Sequence, residues 1–334
     1  MAKAQEIHGF NPEGSLRECL IAIFNSRIEE IYTHFSTLYS DKDIEVLHRT
    51  RISARRVKAL LKIFRPLFPE KKYRGIYQII DNFIKTLGPI RELDVMILML
   101  TKYISKYLQE DVKALLLFLA KLKNENLKLR AGLSKSVELK QFAREKEFLL
   151  SITSKIDKSG KNGKPPHLNV FRSFIDNTKI ALPFLYDGII EYSVRVLNKP
   201  RNKYDLHRMR IKTKPIRYLL EIFPTGYSMK TDEIYRDIKL FVEKTGDIHD
   251  ADVMCARLED FLQELRIFNK NQKLAKEKIA TKPIREYMKM LKESRTDNYN
   301  LVCSMLYRWE SDNFKGKMTL QKEDEESQVA RYYL

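Results

Sequence analysis

The chain has 334 residues, with 62 Lys plus Arg against 44 Asp plus Glu, a formal charge of +18 and a pI near 9.6. That excess points to an anionic partner: polyphosphate, nucleic acid or an acidic membrane surface. No apolar run approaches the length of a membrane span, Ala114–Ala120 being the longest, and three scattered cysteines without a CxxC pair (Cys19, Cys255, Cys303) argue against a zinc site and for a reduced compartment.

Glycine is scarce, and apolar residues recur at helical spacing, so the fold class is all-α. In chain order, helices are expected near 15–39, 44–65, 70–87, 89–108, 110–131 and 136–157. They continue near 168–198 (with a break at Pro183), 203–223, 229–245, 247–270, 280–293 and 296–310, and some neighbours can fuse into longer rods. Pro66 and Pro69 end the second helix, because proline cannot continue the amide ladder. Gly88-Pro89 predicts a sharp helix-to-helix joint, a C-terminal glycine followed by an N1 proline. Gly246-Asp247 predicts the same joint with aspartate as the N-cap. The Gly/Pro cluster Ser159–Pro166 is the natural boundary. It gives a first half at 1–162, a second at 163–312 and a polar tail at 313–334, the tail expected to fray. Lys plus Arg number 31 before Pro166 and 31 from there on, so the charge belongs to both halves. The leading MAKAQEIHGF has no hydrophobic signal core, and the expected location is the cytoplasm.

The two halves repeat one another. Residues 48–64 read HRTRISARRVKALLKIF, and residues 207–223 read HRMRIKTKPIRYLLEIF. At one offset His48, Arg49, Arg51 and Ile52 match His207, Arg208, Arg210 and Ile211. Leu60, Leu61, Ile63 and Phe64 match Leu219, Leu220, Ile222 and Phe223, while Arg55/Lys214 and Lys58/Arg217 keep their charge. A second block, Gly88–Met96 against Gly246–Met254, repeats one residue out of that offset, with Gly88/Gly246, Ile90/Ile248, Asp94/Asp252 and Val95/Val253 in common. Two ordered blocks half a chain apart indicate an internal duplication.

At about 100° per residue, His48, Arg51, Arg55, Lys58 and Lys62 fall on one stripe of their helix, and Val57, Leu60, Leu61 and Phe64 fall opposite. In the second copy His207, Arg210, Lys214 and Arg217 form the stripe, opposite Ile216, Leu219, Leu220 and Phe223. Cations three and four apart on one helix repel one another. A solvated face would be the ordinary fate of one such stripe, but it has little reason to survive in two copies. Arginine forks grip phosphate oxygens in pairs, and histidine adds a donor that charges just below neutrality. The candidate anion-binding residues are therefore His48, Arg49, Arg51, Arg55, Arg56, Lys58, Lys62, His207, Arg208, Arg210, Lys214 and Arg217. Glu92, Asp94, Glu221, Asp250 and Asp252 are expected to support them as ion-pair partners, Asp94 and Asp252 near helix starts. Trp309, at helical spacing with Met305 and Leu306, reads as core, and His8, His34 and His167 as surface or capping residues.

These residues resemble the CHAD domain family. Its pattern HxxRxxxRRxR is similar to His48, Arg51, Arg55, Arg56 and Lys58. Its pattern HxxRxxxKxxRYxLE is matched by His207, Arg210, Lys214, Arg217, Tyr218, Leu220 and Glu221, and its LGxxxDxxV turn resembles Leu87–Val95 and Thr245–Val253. Pro215 stands at a usually basic position, Glu92 replaces an aspartate and Thr245 a leucine; Pro215 is expected to kink its helix. The resemblance implies two helical bundles related by a pseudo-two-fold axis. Between them it implies a basic groove or pore that binds inorganic polyphosphate without catalysis, and association with polyphosphate granules. It carries no cofactor, metal or catalytic residue.

Two rivals share the charge. Sequence-independent nucleic-acid binding also wants a basic stripe, but single-strand binders interleave aromatics for base stacking, and only Tyr218 lies near a stripe; weak non-specific binding is expected. His249-Asp250 with His207 and Asp297 imitates a metal-dependent HD-type phosphohydrolase. There the neighbouring cations would repel a divalent metal, and the first copy has Arg91-Glu92 instead.

Overall fold

The computed structural model describes residues 7–37, 44–107, 112–135, 139–152, 167–224, 227–272, 274 and 278–318. The described residues form ten α-helices and no strand beyond an isolated bridge, an all-α fold. In order they are α1 (Leu16–Thr37), α2 (Ile44–Ile63), α3 (Glu70–Ile104), α4 (Lys113–Lys135), α5 (Leu139–Leu150), α6 (Phe174–Val196), α7 (Lys203–Leu220), α8 (Met229–Asn271), α9 (Lys282–Ser311) and α10 (Phe314–Lys317). Pro66 sits in a short 3-10 turn after α2, and Pro69 immediately precedes α3.

Several expected breaks are absent. Gly88-Pro89 and Gly246-Asp247 lie inside α3 and α8, each a single rod. Pro183 likewise lies inside α6, and the two helices expected near 280–310 are one; Pro215, expected as a kink rather than a break, lies inside α7. A proline within a helix removes one backbone hydrogen bond and a helical glycine costs about 1 kcal/mol. Packing on both sides of these positions outweighs that. The boundary Ser159–Pro166 and the acidic stretch 322–326 lie outside the described residues. The start of the 313–334 tail is docked rather than frayed: Phe314 is buried and stacks on Trp309 at 4.6 Å and 9°, and Met318 is fully buried.

Helix pairing runs in the same order in each half. α1 packs on α2, α2 on α3 and α3 on α4; α6 packs on α7, α7 on α8 and α8 on α9. α2 also packs on α7 and α3 on α8, so α2, α3, α8 and α7 close a ring. The two main cores are both shared between the halves, beside a small cluster of Leu47, Leu87 and Ile90 in the first. One core joins Leu20, Phe24, Leu60 and Phe64 to Phe174, Ile189, Ile216, Leu219 and Phe241. A second joins Leu93, Met96 and Phe118 to Met254, Leu258, Phe261 and Tyr287. At 1.5 Å per residue α3 is about 50 Å long and α8 about 65 Å, and both run from the first core into the second.

The loops that lead into α1 and α6 share a pattern 158 residues apart. Gly9 and His167 both have positive φ (72° and 64°). Asn11 and Asn169 each accept a bond from the backbone two residues on, and Ser15 and Ser173 each accept one from the third following amide. The loops also bond to each other: Leu16 N–H donates to Arg172 O and Phe174 N–H to Gly14 O, while Arg17 N–H donates to Val170 O and Ile175 N–H to Pro12 O. Adding 158 to the first-half residue of one bond and subtracting 158 from its second-half partner gives the other bond of the pair. That exchange is what a contact between two equivalent copies produces.

Candidate functional site

α2 and α7 each turn an apolar face inward. Val57, Leu60, Leu61 and Phe64 are 0–1% exposed, and Ile216, Leu219, Leu220 and Phe223 are also buried, all in the first core. This fixes the opposite faces toward one another and toward α3 and α8, at the waist between the two cores. His48, Arg51 and Arg55 of α2 meet His207, Arg210 and Lys214 of α7 there. Arg51 feels the charges of Arg55, Arg210 and Arg91, and Lys214 those of Arg55, Arg210 and Arg51.

None of these six side chains makes a hydrogen bond or ion pair with a described residue. Five of their buried nitrogens lack any partner: His48 Nδ1, Arg51 Nε, His207 Nδ1, Arg210 Nε and Lys214 Nζ. Leaving a buried donor unmade costs about 1–3 kcal/mol, more when it is charged. The electrostatics carry the same strain. Burial, then Arg55, holds Lys214 well below the ordinary lysine value. Burial, then Arg55, pushes Arg51 down to about 10, and burial lowers Arg210 although Asp250 opposes it. Burial, then Arg91, pushes His48 down to about 4, and burial, then Arg210, lowers His207.

The other stripe residues are differently placed. Arg56 is buried and committed: it donates to Glu221 at 3.0 and 3.1 Å and to Glu30 at 3.3 Å. Lys58 pairs with Asp81 and lies 5.0 Å from the Tyr77 ring centroid. Arg217 is buried 3.7 Å from Glu221. These three are internal braces. Lys62 is exposed beside Tyr77, and Arg49 and Arg208 are exposed.

Of the expected supporting carboxylates, only Glu221 pairs with the stripes. Asp94 and Asp252 lie deep inside the long helices, not at helix starts. Asp94 accepts from Arg130 of α4 at 2.9 and 3.0 Å, and Asp252 accepts from Arg295 of α9 at 2.8 Å and forms an ion pair with Lys203 at 3.2 Å. Repeat-equivalent aspartates thus tie each long helix to the next one. Asp250 faces Arg210 and Lys214, and burial raises its pKa; Glu92 is exposed.

Two site residues are not among the candidate anion-binding residues, although the HD-type comparison names both. Arg91 of α3 faces His48, and His249 of α8 lies against His207 with ring centroids 4.8 Å apart. Burial, then Arg210, pushes His249 down to about 4. Each stands three residues after the repeated glycine, and a cationic side-chain type at that position in both copies was the available signal. Gly246 leaves room for Arg210, whose guanidinium nitrogens lie 3.8 Å from where a Cβ would stand.

The family model of the CHAD domain matches residues 22–295. The chain belongs to the CHAD domain family. Polyphosphate binding is a known property of that family, whose members are generally binding modules. No curated protein matches the sequence at a significant level. The fold is similar to the crystal structure of the CHAD domain from the plant Ricinus communis, with 21% identity, 92% of this chain and 96% of that one covered, and a TM-score of 0.67. It is also similar to PptA from Streptomyces chartreusis, with 14% identity, 89% and 99% covered, and a TM-score of 0.57. At these identities the likeness speaks for the CHAD fold alone. No helix among the described residues is long and apolar enough to cross a membrane.

The rivals can be set against this geometry. Tyr218, the aromatic that base stacking would use, is buried with the Arg217 guanidinium 5.7 Å from its ring. His207 and His249 do come together, as an HD-type site would need. Arg210 and Lys214 surround them, and among the described residues no group of three His, Cys, Asp or Glu is placed to hold one metal ion.

Proposed function

We propose that this CHAD protein binds inorganic polyphosphate without catalysis, where α2, α3, α7 and α8 meet. The ligand set is His48, Arg51, Arg55 and Arg91 from the first half with His207, Arg210, Lys214 and His249 from the second. Arg49, Arg208 and Lys62 lie outside it, and Arg56, Lys58 and Arg217 act as scaffold. The two quartets are read as copies about a pseudo-two-fold axis, a reading that the reciprocal loop bonds support.

One observation carries the proposal: five buried nitrogens without a partner, drawn from both copies of the repeat, crowd one place. Their desolvation and mutual repulsion are offset by a ligand that is itself a row of negative charges and offers acceptor oxygens on every unit. A phosphate chain has both, and no base that must be accommodated. The arginines and Lys214 neutralise charge, and the histidines add donors that strengthen as they take up protons.

The test is a competition titration at two salt concentrations. Labelled long-chain polyphosphate is displaced by unlabelled polyphosphate, single-stranded RNA or duplex DNA matched by phosphate concentration. Polyphosphate is expected to displace best, and the double variant Arg51→Ala/Arg210→Ala to lose that preference while its helical circular dichroism is retained. Equal displacement by nucleic acid makes the cluster a general anion surface.

A further inference from the structure

The buried unpaired cations do not continue past Arg55 on α2 or Lys214 on α7, and Lys62 further along α2 is exposed. On α2 the free row runs from His48 to Arg55 and on α7 from His207 to Lys214, seven residues or about 10 Å each. Beyond Arg55 stand Arg56, bonded to Glu30 and Glu221, and Lys58, bonded to Asp81. Beyond Lys214 stands Arg217, beside the same Glu221. Along α3 and α8 the cations end at Arg91 and His249, three residues before Asp94 and Asp252, which are taken up by Arg130 and Arg295. Toward the C-terminal ends of all four helices neutralised pairs therefore bound the cluster, and a polyanion that followed α2 or α7 in that direction would meet the carboxylates of Glu30, Glu221 and Asp81.

Resting on the polyphosphate reading, we propose that the site has a fixed, short footprint of about five phosphate units. That is one unit for each unpaired Arg or Lys: Arg51, Arg55, Arg91, Arg210 and Lys214. A linear oligophosphate of that length saturates the site. A longer chain presents the same run in more registers and makes no additional ion contacts. Recognition is of a short oligophosphate segment, and polymer length is not read.

The test uses the full wild-type chain and needs no variant. Dissociation constants are measured by calorimetry for orthophosphate, pyrophosphate, triphosphate, linear chains of about five and about fifteen units, and long-chain polyphosphate, each at several salt concentrations. Affinity and the slope of log K against log salt are expected to climb to about five units. The slope then levels near −3.5, from about 0.7 counterions released per contact. The fifteen-unit chain is expected to bind about tenfold tighter than the five-unit chain, by register statistics alone. A slope that keeps steepening out to long chains, with affinity gains of a hundredfold or more, overturns the footprint and makes the site an extended track; a plateau already at pyrophosphate overturns it too. Failure of every phosphate chain to bind overturns the polyphosphate reading itself, a result distinct from either.

Discussion

The two half-sites start from the same repeat and differ in how their charge is held. In the first, Arg51, Arg55 and Arg91 are guanidiniums, which stay charged at any pH a cell reaches. In the second, Lys214 stands where Arg55 does and His249 where Arg91 does. Lys214 is 8% exposed with Nζ unpartnered, and burial drives both it and His249 toward their neutral forms. Asp250 is half-buried in this half-site, whereas its counterpart Glu92 is exposed. Beside His48 the first half-site carries three permanent charges, whereas the second has only Arg210 and otherwise charges that an arriving anion can call up. One duplicated helix pair thus yields a standing attraction and a responsive one.

The largest effect belongs to the permanent half. Arg51→Ala removes a guanidinium that nothing in the protein competes for. A charge-assisted hydrogen bond is worth about 1.5–3 kcal/mol, so polyphosphate affinity is expected to fall about ten- to hundredfold, by the same factor at pH 6 and pH 9. A loss that shrinks at high pH would mean that Arg51 acts through the protonation of a neighbour such as His48, and the comparison would break.

Lys214→Met sharpens it from the other side, through stability. The substitution replaces a buried, unpartnered amine with an apolar chain of similar length and should stabilise the unliganded protein by about 1–3 kcal/mol, read as a higher denaturant midpoint at unchanged slope. Arg55→Met, at the equivalent half-buried position, should gain less. If Lys214→Met destabilises, the amine has a partner in solution and the second half-site is not held in strain.

How much of this was legible in the sequence depends on the range of the interaction. The inward face Val57, Leu60, Leu61 and Phe64 and the cationic face opposite were both readable, because helical periodicity is local. Which cations stay free was not. Arg56 is tied to Glu221 across 165 positions, and from sequence alone it is indistinguishable from Arg55. Gly88 and Gly246 were read as joints because glycine and proline end helices locally, whereas cores on both sides of each position keep α3 and α8 continuous. The matching loops at Gly9 and His167 are not legible in the sequence, because the left-handed position holds different residues in the two copies. Arg91 and His249 share a position in the repeat but differ in type, so they read as an HD-type comparison rather than as part of the basic stripes.

The histidines give the third effect. An unfolded histidine titrates near 6.5, while folded His48 and His249 titrate at about 4. Between these values the unfolded chain holds more protons than the folded one, so the stability of the unliganded protein falls as pH drops from about 6.5 to about 4. His48 is faced by Arg91 of α3 and by Arg51 and Arg55 of its own helix. His249 is faced by Arg210, His207 and Lys214 of α7 and, with opposite sign, by Asp252. A bound polyanion reverses that field and raises both pKa values. The complex then holds more protons than the free protein, and affinity rises as pH falls through the same window. Thermal midpoints and dissociation constants from pH 5 to pH 8 test both signs. His48→Gln with His249→Gln should flatten both curves, and unchanged curves would remove the histidines from the linkage.

The smallest effect compares the two acids. Asp250 faces Arg210 and Lys214, where a carboxylate opposes an incoming phosphate and partly cancels the cations that attract it. Asp250→Asn should therefore tighten polyphosphate binding about two- to fivefold, under about 1 kcal/mol of Coulomb repulsion removed. Glu92 is exposed, where salt and water screen it, and Glu92→Gln should leave the dissociation constant within about twofold. Equal tightening by both would mean that burial does not distinguish the half-sites, since a screened and an unscreened carboxylate would then act alike. Tightening by Asp250→Asn alone, growing as salt is lowered, places the responsive charge in the second copy, with Asp250 restraining Arg210 and Lys214 until phosphate arrives.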